Sequence, residues 1–267
     1  MDSETKGSGP GLVRWEPREG DITILLLGQS GAGKSTFINT AAGRVVVPVG
    51  HGMTTCTTKI TPVVVSHPTD KSRRVVFIDT PGFDDTWVGD RETLKRIVKW
   101  LEKLQGEGVT LTGIIYLHEI TQSRNAKEAS GHLMTPVKLV HPGGAMNVVL
   151  TTTRWNDIQL ATGSQREKQL SETYWKEMLE QGARTHRFDG TANSAWDAVK
   201  LIRDRGDAPP IKTELAFILE NLPNKPRPGF VGGFFTFLFG GRSKRALDGP
   251  DDPLEIDYPS QGVSVGA

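Results

Sequence analysis

At 267 residues the chain is long enough for one large α/β domain with tails or for two small domains. Hydrophobic residues make up 36% and charged residues 24%, ordinary for a globular protein, and a net charge of +1 predicts no strong non-specific attraction to nucleic acid. The single cysteine, Cys56, excludes an internal disulfide and suits a reducing compartment. The polar N-terminus lacks a leader's apolar core and no run approaches the ~20 apolar residues of a membrane span, so a cytoplasmic placement is expected.

Residues 1–20 mix Gly, Pro, Ser and charge without periodicity and read as a flexible arm. The short apolar run Asp21 to Leu27 reads as a buried parallel strand, and Ser35 to Ala42 as a helix stopped by Gly43. Val45 to Thr58 reads as a long loop. Ile60 to Ser66 and Val75 to Ile78 are strands joined by a turn at Pro68-Thr69-Asp70-Lys71, an expected antiparallel hairpin. Arg91 to Leu104 is an amphipathic helix with Leu94, Ile97, Val98, Leu101 and Leu104 on one face. A strand at Gly113 to Ile120, a weaker helix at Lys127 to Val140 and a strand at Met146 to Leu150 come next. Ser164 to Gln181 reads as one long polar helix, Thr185 to Phe188 as a short strand, and Ala195 to Arg203 and Ile211 to Leu222 as the last helices. This alternation predicts an α/β, three-layer fold over 21–205. It has a mostly parallel sheet, one antiparallel edge strand and helices on both faces. A helical extension (206–228) and an apolar segment with a disordered tail (229–267) complete the expected organisation.

Gly28-Gln29-Ser30-Gly31-Ala32-Gly33-Lys34-Ser35 fits G-x-x-x-x-G-K-[ST] between a strand and a helix. Glycines let successive N–H groups turn toward phosphate oxygens, and the helix N-terminus adds partial positive charge. Ser30, Gly31, Ala32, Gly33, Lys34, Ser35 and Thr36 are therefore the candidate phosphate cradle. Lys34 reaches the β- and γ-phosphates and the Ser35 hydroxyl ligates Mg²⁺. Asp79-Thr80-Pro81-Gly82 follows an apolar strand, as a magnesium-holding aspartate must, and the Gly82 N–H can meet the γ-phosphate. Phe83 to Gly89 then reads as a mobile switch. A γ-phosphate sensor needs a hydroxyl on a closing loop. Thr55 is the first candidate, as sensor and metal ligand, with Thr54 and Thr57 as rivals. Cys56 reads as a small packed thiol, His118 as a packed strand-end histidine, and His51 as a switch-loop residue with no second supporting feature.

The P-loop, a Thr-rich first switch containing Cys, Asp-Thr-Pro-Gly, and a strand ending Tyr-Leu-His with Arg124 close behind together resemble GTPases of the septin, Toc and immunity-associated (GIMAP-type) group. They are especially similar to fungal G-domain proteins of that type, over roughly residues 20–205. With the glycine loop, the resemblance implies a P-loop NTPase (G domain) fold over 21–205, GTP/GDP and Mg²⁺ as cofactors, and hydrolysis of GTP. It also implies face-to-face homodimerisation in which Arg124 reaches the partner's phosphates. The group reads guanine with [NT]-K-x-D. Here Thr153-Arg154-Trp155-Asn156 stands in that register, with Asn156 in place of the aspartate and Asp157 one residue late. Arg154 can cover the base as the motif's lysine does, and Trp155 can stack or be core. Thr191-Ala192-Asn193-Ser194-Ala195 resembles the base-bracing loop through Ser194 and Ala195, although a serine helix cap explains the same residues.

Phe83 occupies the place where Ras-like enzymes carry a water-orienting glutamine. Phe83 and Asn156 therefore keep open a second class, a non-catalytic nucleotide-gated scaffold. A P-loop small-molecule kinase is disfavoured by the Asp-Thr-Pro-Gly switch. The apolar run Gly229 to Gly240, with Arg242, Lys244 and Arg245 behind it, can pack on the domain, meet a partner or lie at a membrane surface.

Overall fold

The structure, a computed structural model, describes residues 15–49, 57, 59–68, 74–83, 87–122 and 144–204. Six strands form one sheet in the order β2-β3-β1-β4-β5-β6: β1 Ile22–Gly28, β2 Thr61–Ser66, β3 Arg74–Asp79, β4 Gly113–Glu119, β5 Val148–Thr153 and β6 Arg184–Arg187. All neighbours pair in parallel except β2, the edge strand, which runs antiparallel to β3 from Thr61 opposite Asp79 to Ser66 opposite Arg74. The expected hairpin and antiparallel edge are therefore present. The central strands carry nearly unbroken apolar runs because helices cover both of their faces.

On one face α1 (Lys34–Ala42) and α5 (Ala192–Arg203) bury Phe37, Ile38, Ala195, Ala198, Val199 and Ile202 against Ile24, Leu26, Phe77, Ile115, Leu117 and Val149. Phe37 anchors this layer edge-on to Phe77, with ring centres 6.0 Å apart, and lies 5.0 Å from Phe188. Alternation along the strands turns Tyr116, His118 and Leu150 to the opposite face. There Trp175 lies edge-on to His118 with centroids 6.0 Å apart. The helix α2 (Trp87–Gly106) starts four residues earlier than its periodicity predicts, and its expected apolar face is buried at Leu94, Ile97, Val98, Leu101 and Leu104.

Two expectations change. The predicted single helix over Ser164 to Gln181 is α3 (Leu160–Gln169), a π-helical turn (Leu170–Tyr174) and α4 (Lys176–Glu180). The extra residue in a π turn shifts the phase of the face that follows it, and here Trp175, fully buried, stands directly after that turn. The strand predicted at Met146 to Leu150 is displaced to Val148–Thr153 behind a short 3₁₀ turn, because the threonines continue a β-branched run. The helices expected at Lys127 to Val140 and Ile211 to Leu222 lie outside the described residues. At the other end of the sheet Arg74 pairs with Asp21 at 2.6 Å, and Trp15 Nε1 donates to the same carboxylate at 3.2 Å, tying residues of the N-terminal arm to β1 and β3. No described helix is long and apolar enough to cross a membrane.

Candidate functional site

The site grows from the carboxyl ends of β1, β3, β4 and β5, where an α/β sheet of this kind opens a crevice. β1 ends on Gly28, whose φ is 147° and where a Cβ would stand 2.3 Å from Leu117 O, so only glycine allows β1 and β4 to approach this closely. The loop then climbs to Gly33 (φ 95°), which caps α1 in the left-handed region. Lys34 is buried and its Nζ donates to Gly28 O and Gln29 O, each at 2.9 Å, arching back over the loop. Burial lowers its pKa to about 8, with Asp79 pulling the other way.

Asp79 ends β3 directly opposite. The Ser35 hydroxyl donates to Asp79 Oδ2 at 3.2 Å and the Thr57 hydroxyl reaches the same oxygen at 3.4 Å. The Ser35 and Thr57 hydroxyls are themselves 3.4 Å apart. Burial raises the Asp79 pKa, opposed by Lys34 and by the Ser35 and Thr57 hydroxyls. Its Oδ1 is buried and has no hydrogen-bond partner among the described residues. Two hydroxyls and a half-satisfied carboxylate, all hard oxygen donors, fit Mg²⁺. Thr57, one of the rival sensors, therefore stands in this cluster, whereas Thr54, Thr55, Cys56 and His51 lie outside the described residues.

The chain after Asp79 runs beside the P-loop. Thr80 Oγ1 donates to Leu26 O at 2.6 Å, Phe83 N donates to Gly28 O at 3.3 Å, and Ser30 N donates to Phe83 O at 2.9 Å. A Cβ on Gly82 would meet Ser30 N at 2.5 Å, so the contact needs a glycine there. The Phe83 ring is 1% exposed. The segment predicted as a mobile switch from Phe83 to Gly89 is thus anchored at its first residue, and Trp87 to Gly89 already belong to α2.

At the end of β5, Thr153 Oγ1 donates to Ala32 O at 3.0 Å, which ties that strand to the P-loop. Arg154 follows at φ 61°, a left-handed conformation unusual for a side chain of this size. Its guanidinium spans Glu119 (3.6 Å), Asp157 (3.5 Å) and Gly31 O (3.4 Å). Asn156 is exposed. Trp155 is half-buried and held on the protein's own groups: Nε1 donates to Thr152 Oγ1 at 3.0 Å, Arg187 covers its ring at 4.1 Å, and a Cβ on Gly163 would lie 2.7 Å from it. Ser194 is buried at the third position of α5, whose cap is Thr191, not Ser194. Ala195 is fully buried in the core and its N–H donates to Thr191 O at 3.1 Å.

His118 is buried against Trp175, as its position predicts, and burial lowers its pKa to about 4. Arg124 lies outside the described residues. Sequence reasoning passed over Glu119, although alternation along β4 puts it on the P-loop face beside Arg154. It also passed over Arg166, whose guanidinium donates to Ile120 O (3.0 Å) and Thr121 O (2.6 Å) and closes the exit from β4. No spacing signals that contact, which joins residues 45 and 46 apart in the chain.

A glycine cradle with a buried lysine, an aspartate–hydroxyl cluster across from it and a threonine-locked loop at the end of β5 define a P-loop nucleotide-binding fold. The profile of a family described as 50S ribosome-binding GTPase matches residues 23–134. Over 102 residues the chain is 36% identical to the chloroplastic Translocase of chloroplast 34 homolog of Chlamydomonas reinhardtii, a match covering 36% of this chain and 25% of that protein. The chain thus spans about a quarter of that curated relative's length. Among solved structures it is similar in fold to Toc33 from Arabidopsis thaliana. A dimerization-deficient mutant of Toc33 matches with a TM-score of 0.57 and 18% identity, and the complex with GDP and Mg²⁺ with 0.55 and 19%. Each of these matches covers 73% of this chain and 88% of that one. The sequence match is to a Toc-type protein and the structural matches show the fold; none of them carries anything specific to septin, immunity-associated or fungal members of the expected group.

Proposed function

We propose that the protein binds GTP with Mg²⁺, hydrolyses it to GDP and phosphate, and couples that cycle to pairing with a second copy of itself. The observation that carries this reading is the convergence of Ser35, Thr57 and Asp79 beside Lys34. Lys34 exchanges its two carbonyl partners for phosphate oxygens. Ser35, Asp79 and a threonine of the first switch hold Mg²⁺, which neutralises phosphate charge when bound. Its contact with Asp79 supports Thr57 for that role. The Gly82 N–H meets the γ-phosphate, Arg154 covers the base, and Asn156 accepts one guanine proton, Asp157 being drawn off by Arg154.

Phe83 cannot orient water, so the group that completes the site is Arg124 from the paired copy, a contribution on the order of 10³–10⁵-fold in known trans-arginine systems. Toc33, described with a dimerization-deficient mutant and with GDP and Mg²⁺, is the relative that makes this pairing reasonable. The apolar and basic stretch 229–245 offers a membrane-surface or partner contact to a cytoplasmic protein. A non-catalytic scaffold is the second reading, favoured by the buried Phe83.

Affinities for GDP, GTP, ADP and ATP on one sample, followed by single-turnover phosphate release at low and high protein concentration, test the proposal. Guanine preference with concentration-dependent release is expected, with Thr57→Ala losing more GTP affinity and rate than Thr55→Ala. Tight GTP binding without release at any concentration leaves the scaffold reading in its place.

A further inference from the structure

We propose that His186 is a positioning residue that holds the loop 188–193 against the end of β6 and so sets the preference for guanine over adenine. The specificity half of this inference rests on the reading of that loop as the base brace. His186 Nε2 lies 2.9 Å from Ser194 O and 3.2 Å from Ser194 Oγ. A carbonyl oxygen only accepts, so Nε2 carries the hydrogen and donates to Ser194 O. The Ser194 hydroxyl is left to donate to Arg187 O at 3.1 Å and to accept from Asp189 N at 3.3 Å. Ser194 N donates to Thr191 Oγ1 at 3.2 Å, and Thr191 N and Oγ1 both donate to Asp189 Oδ1, at 2.8 and 2.7 Å.

The loop from Asp189 to Ser194 is therefore closed on itself, and the His186 ring ties it to the strand through its central member. Burial holds the imidazole below the usual histidine value, against the Ser194 carbonyl, Asp197 and Asp189, so the ring is neutral and keeps one donor at neutral pH. The anchored loop leaves β6 at the carboxyl edge of the sheet, beside β5, whose Thr153 grips the P-loop. A shift of this loop moves whatever braces the base and leaves the phosphate cradle in place.

His186→Leu removes the donor, and His186→Gln supplies an amide donor from a side chain of similar reach. Affinities for GDP, ADP and inorganic tripolyphosphate are measured with Mg²⁺ on the full chain, and amide exchange at Asp189 and Ser194 on the nucleotide-free protein. In His186→Leu the GDP-to-ADP preference falls about tenfold, the loss of one part-buried hydrogen bond. Tripolyphosphate affinity holds, and the Asp189 and Ser194 amides exchange faster. His186→Gln recovers both. If His186→Leu fails to fold, Ser194→Ala carries the comparison and shows the same faster exchange at Asp189. Parallel losses for all three ligands, an unchanged GDP-to-ADP ratio, or unchanged exchange overturns the inference. A wild-type protein without guanine preference removes the base-brace reading and the specificity half together, and exchange alone then decides whether His186 holds the loop.

Discussion

Replacing Phe83 with glutamine restores the residue that Ras-like enzymes use to orient water, and simple motif logic expects activation. The structure predicts the reverse. The main-chain bonds of Phe83 to Gly28 and Ser30 survive any side chain, but the ring is 1% exposed, so the substitution acts on the interior. Losing a buried aromatic ring costs about 1.5–3 kcal/mol in transfer. Burying an unpartnered amide costs about 1–3 kcal/mol more. The sum, roughly 3–5 kcal/mol, corresponds to a fall in melting temperature on the order of 10 °C for a domain of this size. Thermal and urea denaturation read the stability, and single-turnover phosphate release at a temperature where the variant is folded reads the chemistry. A Phe83→Gln protein as stable as the wild type, or one that hydrolyses GTP faster, would refute a ring anchored in the interior.

Two further outcomes follow from the charged groups. Lys34, with a pKa of about 8, takes up a proton when a polyphosphate restores its ordinary value, about half a proton per nucleotide at pH 8 and about a tenth at pH 7. Calorimetry in buffers of different ionisation enthalpy checks this, and uptake that does not grow between those pH values contradicts it. Asp21 is lowered: burial raises it, but hydrogen bonds from Arg74, Arg18 and Trp15 outweigh that effect. Its contribution to stability is therefore complete above its unfolded value near 3.8 and is lost as pH falls through the lower folded value. Asp21→Asn should be less stable than wild type at pH 7, with the gap closing in acid. A gap that stays constant with pH would show that the carboxylate charge is not what matters.

The parts of the fold readable from the chain are those in which each residue type answers to its own neighbours. The β1 run, the glycine loop, the α1 stop at Gly43 and the aspartate after β3 are local patterns, and all stand where the sequence puts them. Trp155 was ambiguous because an indole at that position can face a base or the interior, and Gly163 and Arg187, distant in sequence, decide it. The break after Gln169 was not readable, since a polar helix carries too few apolar residues to reveal a phase shift at Trp175. Ser194 is equally open to a base brace and a helix cap in the sequence, because hydroxyls near helix starts serve in both. Its partner His186 comes from the preceding strand, and no spacing rule relates the two.

Gly28 and Lys34 belong to one motif, yet they fail differently. The clash that a methyl group at Gly28 would make is with the carbonyl of a neighbouring strand, so damage there falls on the scaffold before any ligand arrives. In a screen scored only by activity the two positions look alike. Scored by soluble yield they separate, and an inactive Gly28 substitution is evidence about how two strands meet, not about what the loop holds.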